Sequence, residues 1–141
     1  MKNIFFRYVL LIAFYSLLGC KKDPGLGGTS TITGKIIVHD FDAAFLSLPV
    51  IYPASNTEAY IIYGTTGTTY DNHYKTSFDG SYEFKFLQIG KYRIFAYSVD
   101  STGASNNNPS LVLRPKFVDV EISSNGTTIT APDLIILNNK Q

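Results

Sequence analysis

The chain has 141 residues, with 12 basic and 11 acidic side chains and a formal net charge of +1. It holds one cysteine and no tryptophan, and 45% of its residues are hydrophobic. Balanced charge without a basic cluster gives no electrostatic basis for nucleic-acid binding. A single cysteine excludes a disulfide framework within the chain, so any core must hold by burial alone.

Lys2 and Arg7 flank the start of the chain, and Val9 to Leu18 form an almost unbroken apolar run. About ten apolar residues suit a secretion signal but are half the length of a spanning helix. Leu17-Leu18-Gly19-Cys20 follows and resembles the lipobox of bacterial lipoproteins. That resemblance implies cleavage before Cys20 and a diacylglyceryl group on its sulfur; the alternative is an ordinary signal peptide before a chance cysteine. The expected organisation is a signal peptide at 1–19, a lipidated Cys20 with a flexible tether at 20–30, and one domain at 31–138. Without Lys2 and Arg7, ten basic residues face eleven acidic ones, a net charge of about −1. The Gly19-Cys20-Lys21-Lys22-Asp23 junction resembles lipoproteins of the Bacteroidota, which implies the outer membrane and leaves periplasmic or surface exposure open.

Seven segments have strand character. Residues 32–39 alternate Ile32, Gly34, Ile36 and Val38 with Thr33, Lys35, Ile37 and His39. Residues 59–63 are apolar on both faces, as in a central strand, and 70–77 are polar, as at an edge. Tyr82, Phe84 and Phe86 alternate with Glu83 and Lys85, while Tyr92, Ile94 and Ala96 share one face of 91–99. Val118, Val120 and Ile122 alternate with acids, and 134–137 closes the series. Asp79-Gly80 and Asn125-Gly126 supply tight turns, since these residues accept positive φ. Short strands with turn signals predict an all-β fold, a sandwich or barrel.

The run from Thr76 to Ile94 resembles the signature of carboxypeptidase regulatory-like domains: Asp79-Gly80, Tyr82-Glu83-Phe84, Leu87, Gly90, then Tyr92 and Ile94. Thr33-Gly34-Lys35-Ile36-Ile37 and Ala59-Tyr60-Ile61-Ile62-Tyr63 resemble the first and second strands of that family. The resemblance spans about residues 30–137 and implies a seven-stranded Greek-key sandwich of the prealbumin-like (transthyretin-like) kind. The family serves many functions, so it implies no activity.

Chemical motifs are sparse. The only histidines are His39 and His73, and there is no nucleophile elbow, zinc-peptidase helix or phosphate loop, so the expectation is a non-enzymatic chain with hydrolase activity as a remote alternative. Some adhesin sandwiches join a lysine to an asparagine. Lys35 with Asn138 or Asn139 would fit by order, but Ala96 occupies the position of the required acid, so no isopeptide is expected.

If the strands alternate up and down, Asp40, Asp42, Asp79 and Asp100 share one pole and could hold Ca²⁺; alternatively each aspartate simply forms its own turn. The connection from Phe41 to Thr57 is unusually apolar. Its Leu48, Val50, Ile51 and Tyr52 would either pack over the sandwich end, the first expectation, or offer a partner surface. Ser101 to Arg114 reads as a polar, mobile loop. The expected role is an anchored accessory or protein-interaction module of the cell envelope, tied to the membrane by lipid on Cys20, with a glycan- or Ca²⁺-binding module as the alternative.

Overall fold

Nine strands run through the described residues of the computed structural model, which are 23–102, 104, 108 and 112–139. They are β1 (Leu26–Asp40), β2 (Val50–Pro53), β3 (Glu58–Tyr63), β4 (Asn72–Lys75), β5 (Ser81–Leu87), β6 (Gly90–Val99), β7 (Leu113–Ile122), β8 (Thr128–Thr130) and β9 (Leu134–Asn138). The signal segment and Cys20 lie outside the described residues, as does most of the stretch between Thr102 and Val112.

The molecule is a β-sandwich. One sheet runs β4-β3-β6-β7, antiparallel throughout. The other is organised by β1. Its first half pairs with β5 on one side and β8 on the other; its second half pairs with β2 and β9. Ile36 shows the continuity of one side: its N–H donates to Gly80 and its carbonyl accepts from Ala54. Two pairs of short strands thus act as two interrupted ones around a single long strand.

All seven expected segments are strands, and two more join them. β2 lies inside the apolar connection, and β8 is a three-residue parallel pairing. The expected tether is also shorter, because Leu26 to Ser30 already belong to β1. Gly28 lets this segment lie against β5: a Cβ there would sit 1.8 Å from the Leu87 carbonyl oxygen. The stretch reads as linker because glycine carries no side-chain pattern, yet here glycine permits a close backbone approach.

The core lies between the sheets. Ile32, Ile36 and Val38 of β1, Tyr82, Phe84 and Leu87 of β5, and Leu134 and Ile136 of β9 form one side. Ala59, Ile61, Tyr92, Ile94, Ala96, Val120 and Ile122 form the other. Each large side chain fully buried this way contributes about 1.5–3 kcal/mol. Alternation predicts Phe86 inward beside Phe84, but the structure turns it out. Phe86 takes φ 61° and is 67% exposed, and Leu87 fills the inward place at 0%. The partner strand is irregular at the same point, where both Leu26 and Ser30 pair with Leu87.

Two buried tyrosines differ in one respect. The Tyr92 hydroxyl accepts from the Gly25 N–H at 3.1 Å and donates to the Gln88 carbonyl at 2.7 Å. The Tyr82 hydroxyl is buried over Gly34 without a hydrogen-bond partner, and burial pushes its phenol pKa up. Tyr92→Phe is therefore expected to cost about 1–2 kcal/mol, whereas Tyr82→Phe should gain about 1 kcal/mol. Urea unfolding of both variants checks the opposite signs; a loss in Tyr82→Phe would contradict this account.

Candidate functional site: a polar-rimmed cleft, an apolar pole and an aromatic sheet face

Where β1 ends, the two sheets part over a cleft of about 540 Å³, a size common for small-ligand pockets. Val38 and Ile136 lie at its base, while Tyr52, Tyr97 and Leu113 stand at its mouth. Tyr52 donates its hydroxyl to Asp40 at 3.0 Å. Partial burial, with the Asp40 carboxylate beside it, holds that phenol above its ordinary pKa.

The apolar connection beside the cleft does not pack over the sandwich. Leu46 is 83% exposed, Leu48 92%, Val50 56% and Ile51 60%. The physical reason is β2. It pairs only with residues 37–40 of β1 and so forms the edge of the sheet, where its side chains have no strand on their outer side. Leu113, which lines the cleft, and its neighbour Val112 are also open to solvent, 58% and 55% exposed.

The four aspartates expected to converge do not. Asp79 lies beside the middle of β1, 3.2 Å from Lys35, five residues and roughly 16 Å of strand from Asp40. β2 fills the intervening edge. Asp42 accepts from the N–H groups of Ala44 and Leu46, forming its own turn. Asp100 pairs with Arg114 and accepts from the Thr102 N–H. Among the described residues no three His, Cys, Asp or Glu side chains group so as to hold a metal ion. Lys35 and Asn138 are likewise apart, since Asn138 sits opposite Asp40.

The paired aspartates still titrate distinctively. Hydrogen bonds from Ser81 and the neighbouring Lys35 ammonium pull Asp79 down to about 2. Arg114 and Thr102 do the same for Asp100. Both values lie below the unfolded carboxylate value of about 3.9. Their stabilisation is thus complete above about pH 4 and lost as pH falls toward 2. Melting temperature should drop across that window, and drop less in Asp79→Asn/Asp100→Asn; identical curves would contradict this.

The outer face of the four-stranded sheet is aromatic. His73, Tyr60, Phe95 and Phe117 are cross-strand neighbours in one row across β4, β3, β6 and β7. Tyr60 stacks on Phe95 at 5.0 Å and meets Tyr70 at 4.8 Å; Tyr97 sits edge-on to both Tyr60 and Phe95. Charged pairs border the row. Arg93 grips Asp119 with bonds of 2.7 and 2.9 Å and lies over the Phe117 ring, and His73 meets Glu58 at 2.8 Å. Sequence reading missed this face. The signal was present in strand parity, because Phe95 and Tyr97 alternate with the core residues Ile94 and Ala96.

No family model and no curated protein matches the chain. Similar solved structures include a Pseudomonas aeruginosa protein to which carbohydrate binding is ascribed, at 13% identity and TM-score 0.47, covering 87% of this chain and 93% of that one. Another is a 9R-lipoxygenase from Cyanothece PCC8801, at 16% identity and TM-score 0.37, with 92% of this chain matching 20% of the enzyme. At these TM-scores the likenesses bear on neither ligand nor activity.

Proposed function

We propose that this chain is a lipid-anchored, non-enzymatic binding module of the cell envelope that meets a protein partner through its apolar pole. The observation that carries the reading is the exposure of Leu46, Leu48, Val50 and Ile51 together on one end of a sandwich with a complete core elsewhere. Large apolar side chains gathered at one end of a domain and left in solvent mark interaction sites. Orientation supports it. Lipid on Cys20 would hold the beginning of β1 to the membrane, and the apolar pole lies at the other end, roughly 45 Å away along the strand. The contact surface then faces away from the bilayer that carries it.

The test uses Leu48→Asp/Ile51→Asp in the full-length chain. Exposed substitutions change stability by about 0.5 kcal/mol or less, so the fold should persist while an envelope protein co-isolated with the wild type is lost. Unchanged co-isolation would refute the pole as the contact.

A second reading rests on the aromatic sheet face. Rings in a row of roughly 14 Å, three strand spacings, with tyrosine hydroxyls and paired charges at the border, suit a neutral oligosaccharide. Sugar rings offer apolar faces to aromatics and hydroxyls to the rim. Binding on a glycan array that is lost in Tyr97→Ala and Phe117→Ala would favour it over the protein partner.

A further inference from the structure

At the opposite end of the sandwich, where β1 begins, three large apolar side chains stand in solvent. Leu26 is 53% exposed, Phe86 67% and Ile89 42%. They belong to one place. Leu26 and Leu87 are register partners, which brings Leu26 to the same end of the sandwich as the β5–β6 turn that Phe86 and Ile89 flank. The Gln88 side chain donates to the Leu26 carbonyl, and its N–H donates to the carbonyl of Gly25.

Phe86 is the informative member. An aromatic residue at φ 61° is a backbone outlier, and such strain costs on the order of 1–3 kcal/mol where it persists. Here it directs a large apolar ring outward and leaves 67% of it uncovered by the chain. A strained, outward aromatic calls for something outside the sandwich to cover it.

The chain itself says what lies there. Gly25 is buried and pinned to Tyr92 and Gln88, and Pro24 packs against Gly90. Only four residue steps separate Pro24 from Cys20, a reach of about 14 Å at full extension. The headgroup layer of one leaflet is itself roughly 6 Å deep. If Cys20 bears the lipid, this end of the sandwich cannot leave the neighbourhood of the bilayer surface.

We infer that Leu26, Phe86 and Ile89 form a membrane-docking pole that seats in the headgroup–acyl boundary of the same leaflet that holds the lipid on Cys20. This rests on the anchored reading above. The contact orients the molecule rather than holding it, since three partly exposed side chains add little beside acyl chains at about 0.8 kcal/mol per methylene. Docking sets the sandwich upright and points the cleft and the apolar connection away from the membrane. It also gives the Phe86 backbone geometry a use.

The test places a photo-crosslinking phenylalanine analogue at Phe86, Ile89 or Leu48 of the full-length protein. Each variant is isolated from the expressing cells' membranes and reconstituted in vesicles of phosphatidylethanolamine and phosphatidylglycerol. Irradiation should add the mass of one phospholipid at Phe86 and Ile89, with at least ten-fold less at Leu48. Equal lipid adducts at Leu48 and Phe86, or none at Phe86 on a chain whose intact mass shows an acylated Cys20, would overturn the docking pole. A protein–protein adduct at Phe86 would overturn it in favour of a second copy or a partner. An unacylated Cys20 in the same mass spectrum would overturn the anchored reading itself, and the inference with it.

Discussion

Replacing Gly28 by alanine is expected to cost about 3 kcal/mol of unfolding free energy and to lower the melting temperature by on the order of 10 °C. A methyl at this position would meet the Leu87 carbonyl oxygen at 1.8 Å, the Leu87 carbonyl carbon at 2.2 Å and the Gln88 nitrogen at 2.5 Å. All three are backbone atoms of the partner strand, so no flexible side chain can move aside. Relief requires β1 and β5 to separate at the bulge, which would open the end of the core that Leu87 closes. Thr29→Ala, at an exposed neighbouring position, should be close to neutral. Thermal unfolding of both variants decides the matter. An unchanged Gly28→Ala would place residues 26–30 outside the sandwich, as a linker.

The second large effect is all-or-none. Cys20→Ser is expected to abolish incorporation of labelled fatty acid, because Cys20 is the only thiol in the chain. Among the described residues no helix is long and apolar enough to cross a membrane. The apolar poles of the sandwich are too small to hold it on a bilayer unaided, whereas two acyl chains at about 0.8 kcal/mol per buried methylene give a stable anchor. The core begins beyond Cys20, so unfolding of the isolated protein should be unaffected. Retained label in Cys20→Ser would contradict lipidation at this residue.

What the sequence made legible follows from where side chains carry a period. β1, and β5 as far as Phe84, alternate because one face of each meets the core, and the inward residues Ile32, Ile36, Tyr82 and Phe84, with Tyr92 and Ile94 of β6, are buried as their spacing implies. β2 carries no such signal. Val50, Ile51, Tyr52 and Pro53 are all exposed, and the strand exists through main-chain pairing with β1. β8 is three residues of parallel pairing, too short for any period. Gly27 and Gly28 are strand because of a backbone approach that only the folded partner reveals.

The missed β2 also explains why the aspartates do not converge. Counting strands without it places Asp79 at the same end as Asp40, whereas the interrupted edge of β1 sets Asp79 beside Lys35. The apolar connection was legible as unusual, and both of its readings were open from composition alone. Its exposure is a tertiary fact, set by the edge position of β2. Phe86 marks the same limit, since strict alternation turns it inward and one positive φ turns it out.

Crosslinking inside living cells tests most directly whether the end of the sandwich remote from Cys20 is the contact surface. A photo-crosslinking residue at Leu48 or Ile51 of the full-length chain is predicted to give one discrete protein adduct. The same residue at Phe78, which is 88% exposed on the turn before β5, should give none. Adducts of equal yield at all three positions, or an adduct at Phe78 alone, would contradict the account.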